Sequence, residues 1–144
     1  MEIVRIDDAI LNSDELHIFF SYYFQDYSIK KLNKSSNFYN WGFIAYDDNK
    51  KIIGAIKGEI MWNVIHIDLL MIKPEYRKQG IGTKLYDLVL DFAKKKKCVL
   101  ITVETFDFQA PIFWKSKGFT LDFSRSGYDD NTLHFLSIKL NNNE

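Results

Sequence analysis

The sequence predicts an α/β (α+β) domain: a mixed, mostly antiparallel sheet of six to seven strands, with a central parallel β-α-β unit and about four helices. Three observations carry that expectation. Trp41 to Tyr46 and Ile52 to Trp62 are apolar runs flanking the turn-rich Asp47-Asp48-Asn49-Lys50-Lys51, and they read as a hairpin. A strand-like run at 65–73 precedes an amphipathic stretch from about 80 to 96, and Val99 to Glu104 follows as a second strand, which makes a parallel β-α-β unit. No linker, repeat or low-complexity tract divides residues 1–144, so a single domain is expected.

Taken in order, Glu2 to Ile6 reads as a first strand. Ser13 suits the N-cap of a helix that opens on Asp14 and Glu15, where acids complement the positive helix end. Residues 21–40 mix polar and aromatic side chains without a clean period, and a second short helix with a loop is expected there. The helix from about 80 is marked by Ile81, Leu85, Leu88, Val89 and Phe92, and Lys94 to Lys97 closes it as a solvated cationic end. Pro111 belongs in the first turn of the next helix, and Gly118 suits that helix's C′ position. Phe119 to Phe123 and Thr132 to Leu140 supply the last strands, with Asn141 to Glu144 a frayed tail.

Composition narrows the function classes. Hydrophobic residues make up 47% of the chain and aromatic residues 16%, which describes a packed globular protein. Acidic and basic residues number 19 each, so no net field draws the chain to nucleic acid or an anionic membrane. A single cysteine, Cys98, excludes an internal disulfide, and it opens an apolar run, as a buried structural thiol does. No signal-like segment or membrane-length apolar run is present, so a cytoplasmic location is expected.

Arg77-Lys78-Gln79-Gly80-Ile81-Gly82 sits between strand and helix. First-turn N–H groups have no helical partners, and the helix dipole adds positive potential at that end. Glycine at 80 and 82 removes the Cβ atoms that would hold a phosphate off the backbone. The pattern is neither a P-loop nor a dinucleotide fingerprint, because Gly82-Thr83-Lys84 inverts the first and Leu85 replaces the third glycine of the second. Glycines alone suit an anion site and an ordinary strand–helix turn equally.

The segment from Ile72 to Leu85 closely resembles the acetyl-CoA-binding segment of the GNAT superfamily of N-acetyltransferases, with Arg77, Gly80 and Gly82 filling its Arg/Gln-x-x-Gly-x-Gly/Ala signature. Downstream, Ala110-Pro111-Ile112-Phe113-Trp114-Lys115-Ser116-Lys117-Gly118-Phe119 resembles the family's Ala-x-x-Phe-Tyr-x-x-x-Gly-Phe helix and exit turn. The resemblance implies a GNAT-like sheet with acetyl-CoA as co-substrate, held where the two parallel strands splay apart, and no metal. It implies carbonyl contact from the backbone at Leu70, Met71 and Ile72. It also implies diphosphate contact from Lys78, Gln79, Gly80, Ile81, Gly82 and Thr83, with Arg77 as charge partner. Asp107, Phe113 and Trp114 complete the implied cofactor set.

Acetyl transfer to an amine makes three demands. An alkyl ammonium, with a pKa near ~10.4, must lose a proton; the carbonyl oxygen needs a donor; and the thiolate, with a parent pKa of about 8.5, gains from a proton. His66 and Asp68 lie two residues apart on one strand and are the leading candidates for base, with Glu59 and Glu104 in reserve. The acid departs from the family: Trp114 stands where a tyrosine is usual, and an indole N–H is no acid at neutral pH. Either the thiolate leaves unassisted or another hydroxyl serves, Tyr128 first and Tyr86 second. Asp107 stands where the family has an asparagine, and a carboxylate cannot donate to the pantetheine arm. Phe106, Phe108 and Phe113 either line a pocket or fill core, the commoner fate. The acceptor is a small-molecule or peptide amine, with specificity residing in 21–40 and 124–131, and the chain is a monomer or homodimer. A non-catalytic acyl-CoA-binding module is the alternative.

Overall fold

The computed structural model describes residues 1–33 and 38–141. Two compact units are present, Met1–Asn37 and Phe38–Glu144. In the first, Asp7 caps α1 (Asp8–Leu11), its Oδ1 accepting from the Ile10 N–H at 3.0 Å. Ser13 caps α2 (Asp14–Leu32) by accepting from Leu16 N–H, as the sequence leads one to expect. α2 runs through the stretch where a break was expected. No glycine or proline interrupts it, and Asn33, in the left-handed region at φ 54°, ends it. Aromatic residues spread around the whole helix, including the Phe19–Tyr23 ring pair, which is why the period was hidden. Residues 34–37 and the tail 142–144 lie outside the described residues. The expected strand at Glu2–Ile6 is absent, since that segment has no regular structure. Five residues carrying Glu2 and Arg5 have too little apolar alternation to hold a ladder.

The second unit is a six-stranded sheet ordered β1-β2-β3-β4-β6-β5. Its strands are β1 (Phe38–Tyr46), β2 (Ile52–Met61), β3 (Val64–Ile72), β4 (Leu100–Phe106), β5 (Thr120–Tyr128) and β6 (Asn131–Lys139). All neighbours are antiparallel except β3 and β4, so the predicted β-α-β unit is present, with α3 (Ile81–Lys95) as its crossover. A short 3₁₀ turn, Pro74–Tyr76, leads into α3, and α4 (Pro111–Ser116) follows β4.

Each turn has a local cause. Asp47 Oδ1 accepts from the N–H groups of Asn49 and Lys51, closing the β1–β2 hairpin. Asp129 and Asp130 both take positive φ, the requirement of the two-residue turn between β5 and β6. Pro111 opens α4, and beyond its end Gly118 takes φ 95° while the Phe119 N–H reaches back to the Trp114 carbonyl. Leu85, Tyr86, Val89 and Ala93 of α3 are buried, whereas Leu88, counted in the apolar stripe, faces outward.

The sheet core is Ile56, Ile60, Ile65, Ile67, Ile101 and Leu136, all essentially inaccessible. Trp41 is packed there too, tilted against Phe43 and Phe92. Cys98 is fully buried, and burial pushes its thiol pKa up, so it is inert as expected.

One irregularity positions the site. The β2–β3 pairing runs Lys57↔Leu69 and then Gly58↔Ile67, so Asp68 is the extra residue of a β-bulge. The bulge reverses the strand's parity: Ile65 and Ile67 face the core before it, Leu70 and Ile72 after it. Gly58 lies against this bulge, and a Cβ there would come 1.8 Å from the His66 carbonyl oxygen and 2.8 Å from Trp41 Cζ2. Gly58→Ala is therefore expected to destabilise the protein by about 3 kcal/mol or more, or to prevent folding. Chemical denaturation checks this; an unchanged midpoint would contradict the close approach.

Candidate active site

β3 and β4 pair only from Val64↔Leu100 to Ile67↔Val103, although β3 continues to Ile72 and β4 to Phe106. Past that point the strands part, and the backbone of residues 68–72 on the β4 side loses its ladder partner. A cleft of about 620 Å³ opens beside this gap. Its walls are β3 at Leu70, Met71 and Ile72, the turn and first residues of α3 at Arg77, Lys78, Gly80, Ile81, Gly82 and Thr83, and the β4–α4 segment with Phe113. The strand, turn and helix read from the sequence thus meet on one cavity.

The turn is shaped for an anion. Gly80 has φ 81°, a left-handed conformation that other residues rarely adopt. Lys84 N–H to Gly80 C=O is a first-turn helical bond of α3, so the N–H groups of Ile81, Gly82 and Thr83 are left without intrahelical acceptors. No acid occupies the first turn to neutralise them. Arg77 folds back, its Nε donating to the Ile72 carbonyl at 3.0 Å, which ties the turn to the end of β3.

The side chains of three expected cofactor residues, Gln79, Asp107 and Trp114, are not part of the cleft wall. Gln79 turns its amide to the Glu75 carbonyl at 3.4 Å. Trp114 is buried in the core, edge-on to Tyr86 and Phe119, because α4 lays that face on α3 while Phe113 turns to the cleft. The Asp107 carboxylate is taken up by His134 Nε2, and that hydrogen bond holds its pKa below the usual carboxylate range. His134 in turn meets Ser124 Oγ through Nδ1 at 2.7 Å.

Tyr76, Gln109 and Ala110 line the cleft and were not singled out in the sequence as binding residues. Of the two alternatives open for Phe108, pocket wall or core, the structure favours the wall: it lines the cleft, is 69% exposed and stacks on Phe106 at 5.3 Å. Local bonds hold this wall, with Gln109 Oε1 accepting from Phe106 N–H and Thr105 Oγ1 from Ala110 N–H. A glutamine three residues past a strand residue was the available sequence signal.

Beside the splay, His66 is the hub of a titratable cluster. Its Nδ1 lies 2.6 Å from Thr102 Oγ1, and its Nε2 lies 3.5 Å from both Asp68 Oδ1 and Glu104 Oε1. Glu59, opposite His66 on β2, completes a set with His66 and Asp68 whose ligand atoms all lie within 4.8 Å, close enough to share a cation. Leading and reserve candidates from the sequence are thus drawn together. Tyr128 sits edge-on to Phe106 at 5.4 Å. Tyr86 is poorly suited to act as an acid: among the described residues its buried hydroxyl has no hydrogen-bond partner, and burial, helped by Asp87, pushes its pKa up to about 12.

The chain matches the acetyltransferase (GNAT) family over residues 11–119. It belongs to that family. Over 96 residues it is 30% identical to the blasticidin-S acetyltransferase of Streptomyces morookaense, spanning 66% of this chain and 71% of that one. It is 27% identical over 124 residues to an uncharacterized N-acetyltransferase of Methanocaldococcus jannaschii, covering 74% of this chain but only 55% of that relative. A crystal structure of a candidate acetyltransferase from Agrobacterium tumefaciens superposes with a TM-score of 0.79 at 19% identity, covering 97% of this chain and 100% of the other. An aminoglycoside 6′-N-acetyltransferase complexed with coenzyme A has a TM-score of 0.63 at 13% identity over 69% of each chain. These two structural likenesses establish the GNAT fold alone. No helix among the described residues is long and apolar enough to cross a membrane.

Proposed function

We propose that this GNAT protein is a single-domain N-acetyltransferase that moves the acetyl group of acetyl-CoA to a primary amine of a small molecule or peptide in a ternary complex. The family match runs across both compact units, which supports one functional domain. The parting of β3 from β4 beside the α3 turn carries the reading, because it joins an anion-binding end to unpaired backbone donors in one cleft. Those β3 donors, at Leu70 to Ile72, stabilise the negative charge that develops on the thioester oxygen.

The acceptor approaches as an ammonium, and Asp68, Glu104 and Glu59 favour a cation there. Neutral His66 donating from Nδ1 to Thr102 Oγ1 leaves Nε2 bare to take the amine proton. The imidazolium so formed faces two carboxylates, which stabilise it. Departure of the thiolate unassisted, or with help from the Tyr128 hydroxyl, completes transfer.

Burial of Trp114 favours the second reading, a module that binds acyl-CoA without turnover. The deciding experiment follows release of CoA thiol from acetyl-CoA against a panel of aminoglycosides, polyamines, peptide amines and blasticidin S, which names the Streptomyces relative. Amine-dependent release is the expected result. Micromolar acetyl-CoA binding with no release across the panel establishes the module instead.

A further inference from the structure

Lys117, the residue that ends α4, is not among the residues that the resemblance assigns to the cofactor. Its Nζ donates to Thr83 Oγ1 at 2.8 Å, and the ammonium lies 5.3 Å from the Phe113 ring centroid. Thr83 and Phe113 both line the cleft. Lys117 is half-buried, and among the described residues no carboxylate comes within ion-pair distance of it. Thr83 belongs to the first turn of α3, where three N–H groups lack helical acceptors and no acid is present. An ammonium held at the positive end of α3 opposes that helix's dipole, and among the described residues no carboxylate is paired with it. Its hydroxyl and aromatic partners fix its place without neutralising it. The charge is compensated when an anion enters.

We propose that Lys117 is a binding residue for the diphosphate of the acyl-CoA, reaching from α4 across to the α3 turn. This rests on the acetyl-CoA reading above. Diphosphate suits the position because the same cleft runs on from the turn along Leu70 to Ile72, toward the strand gap. A linear ligand with its phosphates at one end and its thioester at the other spans that course. Lys117 also links the two helices, so cofactor occupancy is expected to tighten the α3–α4 contact.

Lys117→Met keeps an unbranched apolar stem over Phe113 and removes the charge. Calorimetric titration compares it with the unaltered protein and with Lys117→Arg, using acetyl-CoA, 3′-dephospho-CoA and S-acetylpantetheine. Lys117→Met is expected to raise Kd about tenfold for both diphosphate ligands, with Lys117→Arg restoring most of the affinity and S-acetylpantetheine unaffected. A loss shared equally by all three ligands would mark Lys117 as a helix–helix strut and overturn the proposal. Loss with acetyl-CoA but not 3′-dephospho-CoA would move the ammonium to the 3′-phosphate and overturn it as well. Unchanged affinity in Lys117→Met removes this proposal alone. Failure of the unaltered protein to bind acetyl-CoA removes the acetyltransferase reading with it.

Discussion

Gly82→Trp is expected to abolish measurable acetyl-CoA binding, raising Kd about a hundredfold or more, while the protein stays folded. The two glycines of the turn serve different ends. Gly80 has positive φ with open space where its Cβ would be, so it is there for backbone conformation. Gly82 does not need positive φ. A Cβ at Gly82 would stand 3.6 Å from Phe113 Cε2 and 3.9 Å from Leu70 Cδ2, ordinary packing distances. The fold therefore tolerates alanine there, and the missing side chain leaves room in the cleft instead. Phe113, Leu70 and Gly82 all line that cavity, so an indole at 82 fills it where diphosphate would meet the free N–H groups of α3. Gly82→Ala is expected to weaken binding far less, with little change in thermal midpoint. Calorimetric titration of the three proteins gives the answer. Undiminished binding by a folded Gly82→Trp would place the nucleotide outside this cleft.

The second large effect is catalytic. His66→Ala is expected to lower kcat by about 10²–10³-fold with the acetyl-CoA Kd unchanged, within the usual range for losing a positioned general base. His66 does not line the cleft, so cofactor affinity has no reason to move. Its Nε2 faces Asp68 and Glu104 at 3.5 Å each, so in the proposed mechanism both carboxylates would act through it. Glu104→Gln is expected to cost less, because Asp68 still faces the ring. A His66→Ala protein with near-normal kcat would hand the base role to the carboxylates.

Much of this was legible in the chain. Pro111 and Gly118 delimit α4 through backbone rules that hold wherever such residues occur, and Ser13 caps α2 in the same way. Asp107 shows the limit. Its place alone suggested the pantetheine arm, where a carboxylate cannot donate, and a histidine on β6, 27 positions along the chain, occupies that carboxylate. Trp114 and Phe113 are adjacent, and nothing local tells which ring enters the core. Packing of α4 on α3 decides it, against Tyr86 and Phe119.

The sequence by itself determined the β-α-β order, the β1–β2 hairpin and the glycine turn. Those depend on backbone propensity and on spacing within a few residues. Only the tertiary structure decided that Asp68 bulges, that β3 leaves β4 after Ile67, that His66 gathers Glu59, Asp68 and Glu104, and that Lys117 reaches Thr83. Each of these depends on strand register or on contact between distant elements. A one-residue change of register sends every side chain to the opposite face, so no local pattern could specify them.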